Sequence, residues 1–261
     1  MSEKIKDFWS NQAREFGRSF EATIPDKFLK ELEIKAVLKY LPERGTVADI
    51  GCGNGYSDFL YAKAKKDLMF ECFDYSEEMI KIARNELELK GLTNLQFATL
   101  DIKNMKAIDK YECVITDRCL INLQGEHEQR DAILKIVGSL KRDGKYIMCE
   151  DTIQGLEKLN RLRKQVGIDE INIRWHNKYI DENLLFKLER DQSLKIDKID
   201  NFSTFYYVAS RVINGRIAEN NNEEPAYDSE INKIAKEVSL MGDFGDCTPL
   251  KLFLISKFVR D

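Results

Sequence analysis

The chain has 261 residues, 43% of them hydrophobic, 33% charged and only four proline, which excludes disordered and fibrous classes and suits one large α/β domain with a sizeable core. Its 41 basic residues against 45 acidic ones give a net charge of −4, which argues against a dedicated nucleic-acid binder, because phosphate contacts call for a basic excess. No run reaches the ~18 apolar residues of a membrane span. Met1 to Asp7 shows no apolar run after its charges, so a cytoplasmic protein without membrane contact is expected. The six cysteines (52, 72, 113, 119, 149 and 247) include no C-x-x-C pair, so reduced, mostly core thiols are expected rather than a zinc site.

In chain order, residues 1–40 predict a helical lid. Phe8, Trp9, Phe16 and Phe20, with Arg14 and Arg18 between them, start it, and a helix from Asp26 to Tyr40 follows until Pro42 stops it. From residue 41 to 261 strands and helices alternate as in a doubly wound sheet. Strands are predicted at Thr46–Ile50, Leu68–Phe73, Leu95–Leu100, Glu112–Thr116 and Lys145–Cys149. Between them lie helices from about Ser57 to Lys66, from a Ser76 cap to Gly91, and from about Glu126 to Leu140. Beyond strand five the alternation loosens. Residues 152–190 read as an insertion: a helix over Leu156–Val166, an irregular stretch to Ile180, and a short helix over Asp181–Arg190. A strand at Phe205–Ile213, a helix at Glu230–Met241 and a closing strand at Leu250–Phe258 complete the reading.

The most informative stretch is Val47-Ala48-Asp49-Ile50-Gly51-Cys52-Gly53-Asn54-Gly55-Tyr56, followed by Asp74 at the end of the next strand. A strand running into a glycine turn and then a helix lets backbone approach a ligand closely, because glycine has no Cβ. An acid ending the neighbouring strand can accept both hydroxyls of a ribose. The glycines do not follow the dinucleotide fingerprint: its third glycine would be position 56, which is Tyr56. Asp49, two residues before the turn, would repel a pyrophosphate and suits a cationic ligand.

Asp49, Gly51, Gly53 and Gly55 in the pattern D-x-G-x-G-x-G resemble the first motif of class I S-adenosylmethionine-dependent methyltransferases. The resemblance implies a doubly wound seven-stranded sheet, mostly parallel with an antiparallel last strand. S-adenosyl-L-methionine is the implied cofactor and S-adenosyl-L-homocysteine its product. Asp74 matches the acid that binds the ribose, and Tyr75 and Met79 are placed to flank adenine. Asp101 matches the acid at the adenine amino group, with Ile102 supplying a backbone amide; a helix N-cap is the plain alternative for Asp101. Asp117 and Arg118 follow strand four, where the family places residues near the transferring methyl.

Methyl transfer to oxygen also requires removal of a proton, for which a neutral histidine is suited. Of the two histidines, His127 starts an amphipathic helix and reads as solvated, while His176 lies in the stretch expected over the cleft. His176 is therefore the first candidate base, with Tyr179 and Glu150 next. No metal is expected, because Arg118 beside Asp117 disfavours a divalent ion. Between Leu156 and Lys178 six Lys/Arg face three acids, so Arg118, Arg163, Trp175 and Asn177 are candidates to bind a small anionic acceptor. Arg118 to Leu123, Leu159 to Arg163 and Trp175 to Asn177 resemble bacterial methyltransferases of surface-polysaccharide, capsule and sugar-nucleotide pathways. The expected reaction is O-methylation of a phosphorylated, phosphoramidate or sugar-nucleotide metabolite. The alternatives are N-methylation of an amino sugar or amine, a nicotinamide-dependent oxidoreductase, and a non-catalytic nucleoside-sensing protein.

Overall fold

The structure is a computed structural model and describes residues 2–258. Met1 of the expected lid and Val259, Arg260 and Asp261 of the expected main domain lie outside the described residues. Seven strands form one sheet: β1 (Gly45–Ile50), β2 (Leu68–Asp74), β3 (Leu95–Thr99), β4 (Tyr111–Asp117), β5 (Leu140–Asp151), β6 (Lys195–Asp200) and β7 (Leu250–Ser256), in the order β3-β2-β1-β4-β5-β7-β6. Only β7 runs antiparallel to its neighbours. The order turns back on itself beside β1, and a crevice opens there at the carboxyl ends of the strands.

The strand sequences alternate between two buried faces, as a sheet covered on both sides requires. Val47, Cys113, Ile115 and Ile147 pack under α2 (Lys27–Tyr40), α3 (Tyr56–Ala64) and α4 (Glu77–Lys90). Ala48, Ile50, Val114, Tyr146 and Met148 pack under α5 (Glu126–Ser139) and α7 (Glu182–Arg190). A third cluster lies beyond the strand ends and joins Leu29 and Leu32 of α2, Leu159 of α6 (Ile153–Gln165), Tyr206, Ala209 and Ala235. It forms the wall of the crevice on the side away from the glycine turn.

The first helix, α1 (Glu3–Phe16), lies on α4. The hydroxyls of Ser10 and Ser76 are 3.0 Å apart, Arg14 pairs with Glu78 at 2.7 Å, and Met79 packs with Ala13 and Ala22. Trp9 Nε1 donates to Asn122 Oδ1 at 2.9 Å, so the helix reaches across the crevice mouth to the turn after β4.

Two expectations are corrected. Phe205–Ile213 is helical: α8 (Thr204–Tyr207) continues through a π-helical turn at Val208–Ile213 into α9 (Asn214–Asn220). Tyr206, Tyr207, Ala209, Ser210 and Val212 are all buried, so no polar face marks the helical period. The strand beside β7 is instead β6, Lys195-Ile196-Asp197-Lys198-Ile199-Asp200, an edge strand with a register shift between Ile196 and Lys198. Charge on an edge strand is a protection against further pairing, and here it hides the strand from a hydrophobicity reading.

Candidate active site

The turn after β1 is held by backbone bonds to β2. Gly51 and Cys52 N–H both donate to the Phe73 carbonyl, at 2.7 and 3.0 Å. Gly51, Gly53 and Gly55 have φ of +86°, +57° and +77°, the left-handed region that side chains oppose. Space forbids them as well. A Cβ on Gly55 would lie 2.6 Å from the Phe97 ring, and one on Gly51 2.6 Å from Cys119 Sγ. Asn54 between them donates to the carbonyls of Gly17 and Ser19, both at 2.8 Å, and ties the N-terminal segment to the turn.

One continuous cavity of about 250 Å³ runs from this turn to the far wall. Its cofactor half contains Asp49, Gly51, Gly53, Asp74, Tyr75, Met79, Asp101 and Ile102, together with Lys6 and Trp9 of α1. Asp74 accepts from Gly53 N–H at 2.9 Å through Oδ2 and from Ser76 N–H at 2.8 Å through Oδ1. Each oxygen accordingly keeps a lone pair for a ligand. Asp101 lines the cavity and also caps the short turn at Ile102–Asn104 by accepting from Lys103 N–H at 3.0 Å. Asp49 is 4% exposed and its Oδ1 has no hydrogen-bond partner. Burial, then the neighbouring Asp58 carboxyl of α3, push its pKa well above the ordinary carboxylate range.

The other half is built by side chains distant in sequence. Lys30 of α2 bridges Asp117 at 2.8 Å and Glu33 at 3.1 Å; Arg118 contacts Glu33 at 3.1 Å and Asp117 at 3.7 Å. Two cations and two acids form a closed quartet, with Arg118 in a left-handed conformation, φ +50°. Burial opposes the charge of Lys30, but Asp117 and Glu33 outweigh it and hold the ammonium protonated; burial likewise lifts Glu33 to about 7 against the pull of Arg118. Beyond the quartet, Arg211 in the π turn pairs with the buried Asp26 carboxylate, which also accepts from Tyr206 Oη at 2.6 Å. Arg174, Asn177, Tyr179, Tyr207 and Asp151 complete the lining.

Among the sequence candidates, Asp117, Arg118, His176, Asn177 and Tyr179 reach the cavity. Glu150 does not: it is 0% exposed and accepts backbone N–H groups of Cys119, Leu120 and Ile121 at 2.9–3.3 Å, so it shapes the turn after β4. Arg163 donates to the backbone carbonyls of Asp169 and Arg211 and holds the insertion together. Trp175 is 54% exposed, edge-on to Phe8 and beneath Lys4. Arg14 and Arg18 pair with Glu78 and Glu86 of α4 instead of pointing inward. Tyr179 keeps its proton, because burial pushes the phenol well above its usual range. His176 is 3% exposed and stacks on Phe8 of α1 at 4.2 Å; burial, then Arg174, lower its pKa and keep the imidazole neutral. Among the described residues no group of three His, Cys, Asp or Glu side chains is arranged to hold a metal ion.

Sequence reasoning missed Lys30, Glu33, Asp26 and Arg211. Two of these left a trace: Lys30 and Glu33 are charged residues on the α2 face that buries Leu29, Leu32, Ile34 and Val37, and charge on an apolar helix face signals a buried polar network.

A methyltransferase-domain family model matches residues 42–202. Carboxy-S-adenosyl-L-methionine synthase of Nautilia profundicola is 28% identical over 211 residues, covering 75% of this chain and 86% of that protein. Malonyl-[acyl-carrier protein] O-methyltransferase of Acetivibrio thermocellus is 32% identical over 98 residues, 38% of this chain and 32% of that protein. Among solved structures, a geranyl diphosphate methyltransferase in complex with GPP and sinefungin aligns with a TM-score of 0.61 at 10% identity, covering 98% of both chains. Magnesium protoporphyrin IX methyltransferase from Synechocystis with bound SAH aligns with a TM-score of 0.54 at 20% identity, covering 74% of this chain and 85% of that one.

Proposed function

The chain belongs to the methyltransferase-domain family, and from that premise we propose that it methylates an oxygen of a small polar acceptor bearing an acid group. The cofactor is S-adenosylmethionine, which supplies an electrophilic methyl on a sulfonium. The residues present fit it: the glycine turn leaves room where side chains would clash, Asp74 keeps a lone pair on each oxygen, and the partnerless Asp49 oxygen offers a hydrogen-bond acceptor beside the turn. A nicotinamide dinucleotide would bring its pyrophosphate against Asp49.

The observation that carries the acceptor reading is the continuity of the cofactor half with a wall containing Arg174. Among the described residues Arg174 has no ion pair, whereas Lys30, Arg118 and Arg211 are each balanced by an acid. An incoming phosphate or carboxylate finds one uncompensated cation there, with Asn177 and Tyr207 beside it as hydrogen-bonding groups. Sugar nucleotides carry such a group, and the short motifs shared with surface-polysaccharide enzymes make them the first acceptors to assay. In this proposal His176 clamps α1 over the cavity through its stack on Phe8. The six cysteines are free, which supports a reducing, cytoplasmic setting.

Thermal-shift titration tests the cofactor, and the acceptor class can be screened on the same protein. S-adenosylhomocysteine at a hundredfold excess over Kd should stabilise by roughly 2.7 kcal/mol, or about 5–10 °C at this size, and NAD or NADP should give no shift. With that ligand bound, phosphorylated and carboxylated hydroxy compounds should add a further shift that Arg174→Ala removes. Neutral polyols acting equally well would refute the anionic acceptor.

A second reading follows from the relative named for making carboxy-S-adenosyl-L-methionine. On it, the product is the cofactor itself carrying a carboxyl group, with Arg174 facing the carboxyl donor. Mass spectrometry of the cofactor after turnover separates the two: S-adenosylhomocysteine supports methyl transfer, and a carboxylated cofactor supports the second reading.

A further inference from the structure

We propose that Asp151 is the proton acceptor for the methylated atom, a role that rests on the methyltransferase reading and that neither His176 nor Glu150 fills. Asp151 ends β5, and its backbone is fixed on both sides: its carbonyl accepts from Ile180 N–H at 2.9 Å, and the residue pairs with Leu250 of β7. The side chain lines the cavity at 5% exposure, yet among the described residues it makes no hydrogen bond and no ion pair, and its Oδ1 is fully buried without a partner. Leaving a carboxylate buried and unsatisfied is costly, and in a cavity it is the mark of a group awaiting a ligand. Glu150, one residue earlier, faces the opposite way and spends both oxygens on backbone amides. His176 Nδ1 is likewise buried without a partner, but its ring is stacked on Phe8, and burial and Arg174 disfavour the proton it would have to take.

Position supports the role. The sheet order places β1, β4 and β5 side by side, so Asp151 stands two strands, roughly 10 Å, from the strand that leads into the glycine turn. An acceptor bound between them has its reacting atom within reach of both. The groups facing Asp151 come from three elements: Arg118 and Asp117 at the end of β4, Arg174 and Tyr179 in the irregular stretch, and Tyr207 and Arg211 in the helix around the π turn. Burial raises the Asp151 carboxyl to about 6, against the pull of Arg118, with Asp117 adding to the rise and Arg174 and Arg211 opposing it. A base of that strength is largely ionised at neutral pH and still able to hold a proton during the reaction. As the acceptor oxygen gains the methyl group, the electron pair of the broken carbon–sulfur bond stays on sulfur. The hydroxyl proton passes to Asp151 and from there to water.

Sinefungin, an analogue with an amine in place of the methylsulfonium, tests this without knowledge of the acceptor. Calorimetric titrations of the full chain with sinefungin and with S-adenosylhomocysteine give an affinity ratio. In the wild type the ratio should favour sinefungin increasingly as pH rises through about 6, when the carboxylate ionises opposite the amine. Asp151→Asn should lower the preference roughly tenfold, as loss of a charge-assisted hydrogen bond does, and leave the S-adenosylhomocysteine affinity unchanged. Should that variant not fold, Asp151→Ser, which also removes the charge, takes its place in the same titrations. A ratio unaltered by the substitution, or flat across pH 5–8 in the wild type, overturns the role of Asp151. Failure of the wild type to bind either compound overturns the cofactor reading instead, and this assignment with it.

Discussion

Asp74→Ala is the sharpest test of the cofactor half, because the structure states what the carboxylate already does. Each oxygen accepts one backbone N–H, from Gly53 at 2.9 Å and from Ser76 at 2.8 Å, leaving one lone pair on each, which the proposed cofactor pose gives to the two ribose hydroxyls. A hydrogen bond to a charged group contributes about 1.5–3 kcal/mol. The site is partly exposed, so the lower figure applies, and the pair sums to about 3 kcal/mol, a loss of affinity of roughly a hundredfold. The same substitution releases two N–H groups at the mouth of the glycine turn and costs about 2 kcal/mol of stability, a drop in Tm of roughly 4–8 °C. Isothermal titration with S-adenosylhomocysteine well below the lowered Tm separates the effects, since a folded variant reports affinity alone. A cooperatively folded Asp74→Ala protein that binds within threefold of wild type would refute the reasoning, because the carboxylate would then serve only the turn.

Three further outcomes follow from the surrounding packing. Gly55→Ala combines a φ of +77° with a Cβ only 2.6 Å from the Phe97 ring, and urea unfolding should show a loss of about 3 kcal/mol from strain and overpacking together. Asp26→Ala leaves the Arg211 guanidinium buried without its partner and should cost about 3–5 kcal/mol; Tyr206→Phe, which removes only the 2.6 Å hydroxyl contact, should cost about 1 kcal/mol. Burial raises Asp58 to about 6, against hydrogen bonds from Cys72 and Asp49. The folded state therefore holds that proton more tightly than the unfolded chain. Its stabilising contribution is complete below about pH 4 and is lost as pH rises through about 6, by about 3 kcal/mol. Asp58→Asn should decline by about 3 kcal/mol less than the wild type when the two proteins are unfolded in urea from pH 4 to 7.5, because Asp151 and Glu33 still titrate in both, and parallel curves would refute the linkage.

The cofactor half was legible because its determinants are local. Asp49, the three glycines and Asp74 lie within one β-turn-α-β unit, where the period of apolar residues and the need for positive φ are both visible in a short stretch. The far half was not legible because it is assembled across long separations: Lys30 meets Asp117 across 87 residues and Asp26 meets Tyr206 across 180. Charge counts over Leu156–Lys178 pointed to a basic lining, yet the fold turns Arg163 toward the backbone of its own insertion and delivers Arg174 to the cavity. A linear count cannot tell the two apart.

Helix α8 and the π turn show the same limit from the other side. Phe205-Tyr206-Tyr207-Val208 has the aromatic and β-branched composition of a strand, and what makes it helical is its surroundings. It packs against α2, α6 and α10 (Glu230–Ser239), and the positions left less buried include Phe205, Val208 and Ile213, apolar like the rest, so no polar stripe marks the 3.6 period. The helix around the π turn places Tyr207 and Arg211, four residues apart, on the cavity wall together. That spacing brings Arg211 onto Asp26 and leaves Arg174 as the uncompensated cation. On the proposed reading, the charge that recognises an acceptor is thus set by which arginines the fold has already neutralised, and the number of arginines in the segment does not determine it.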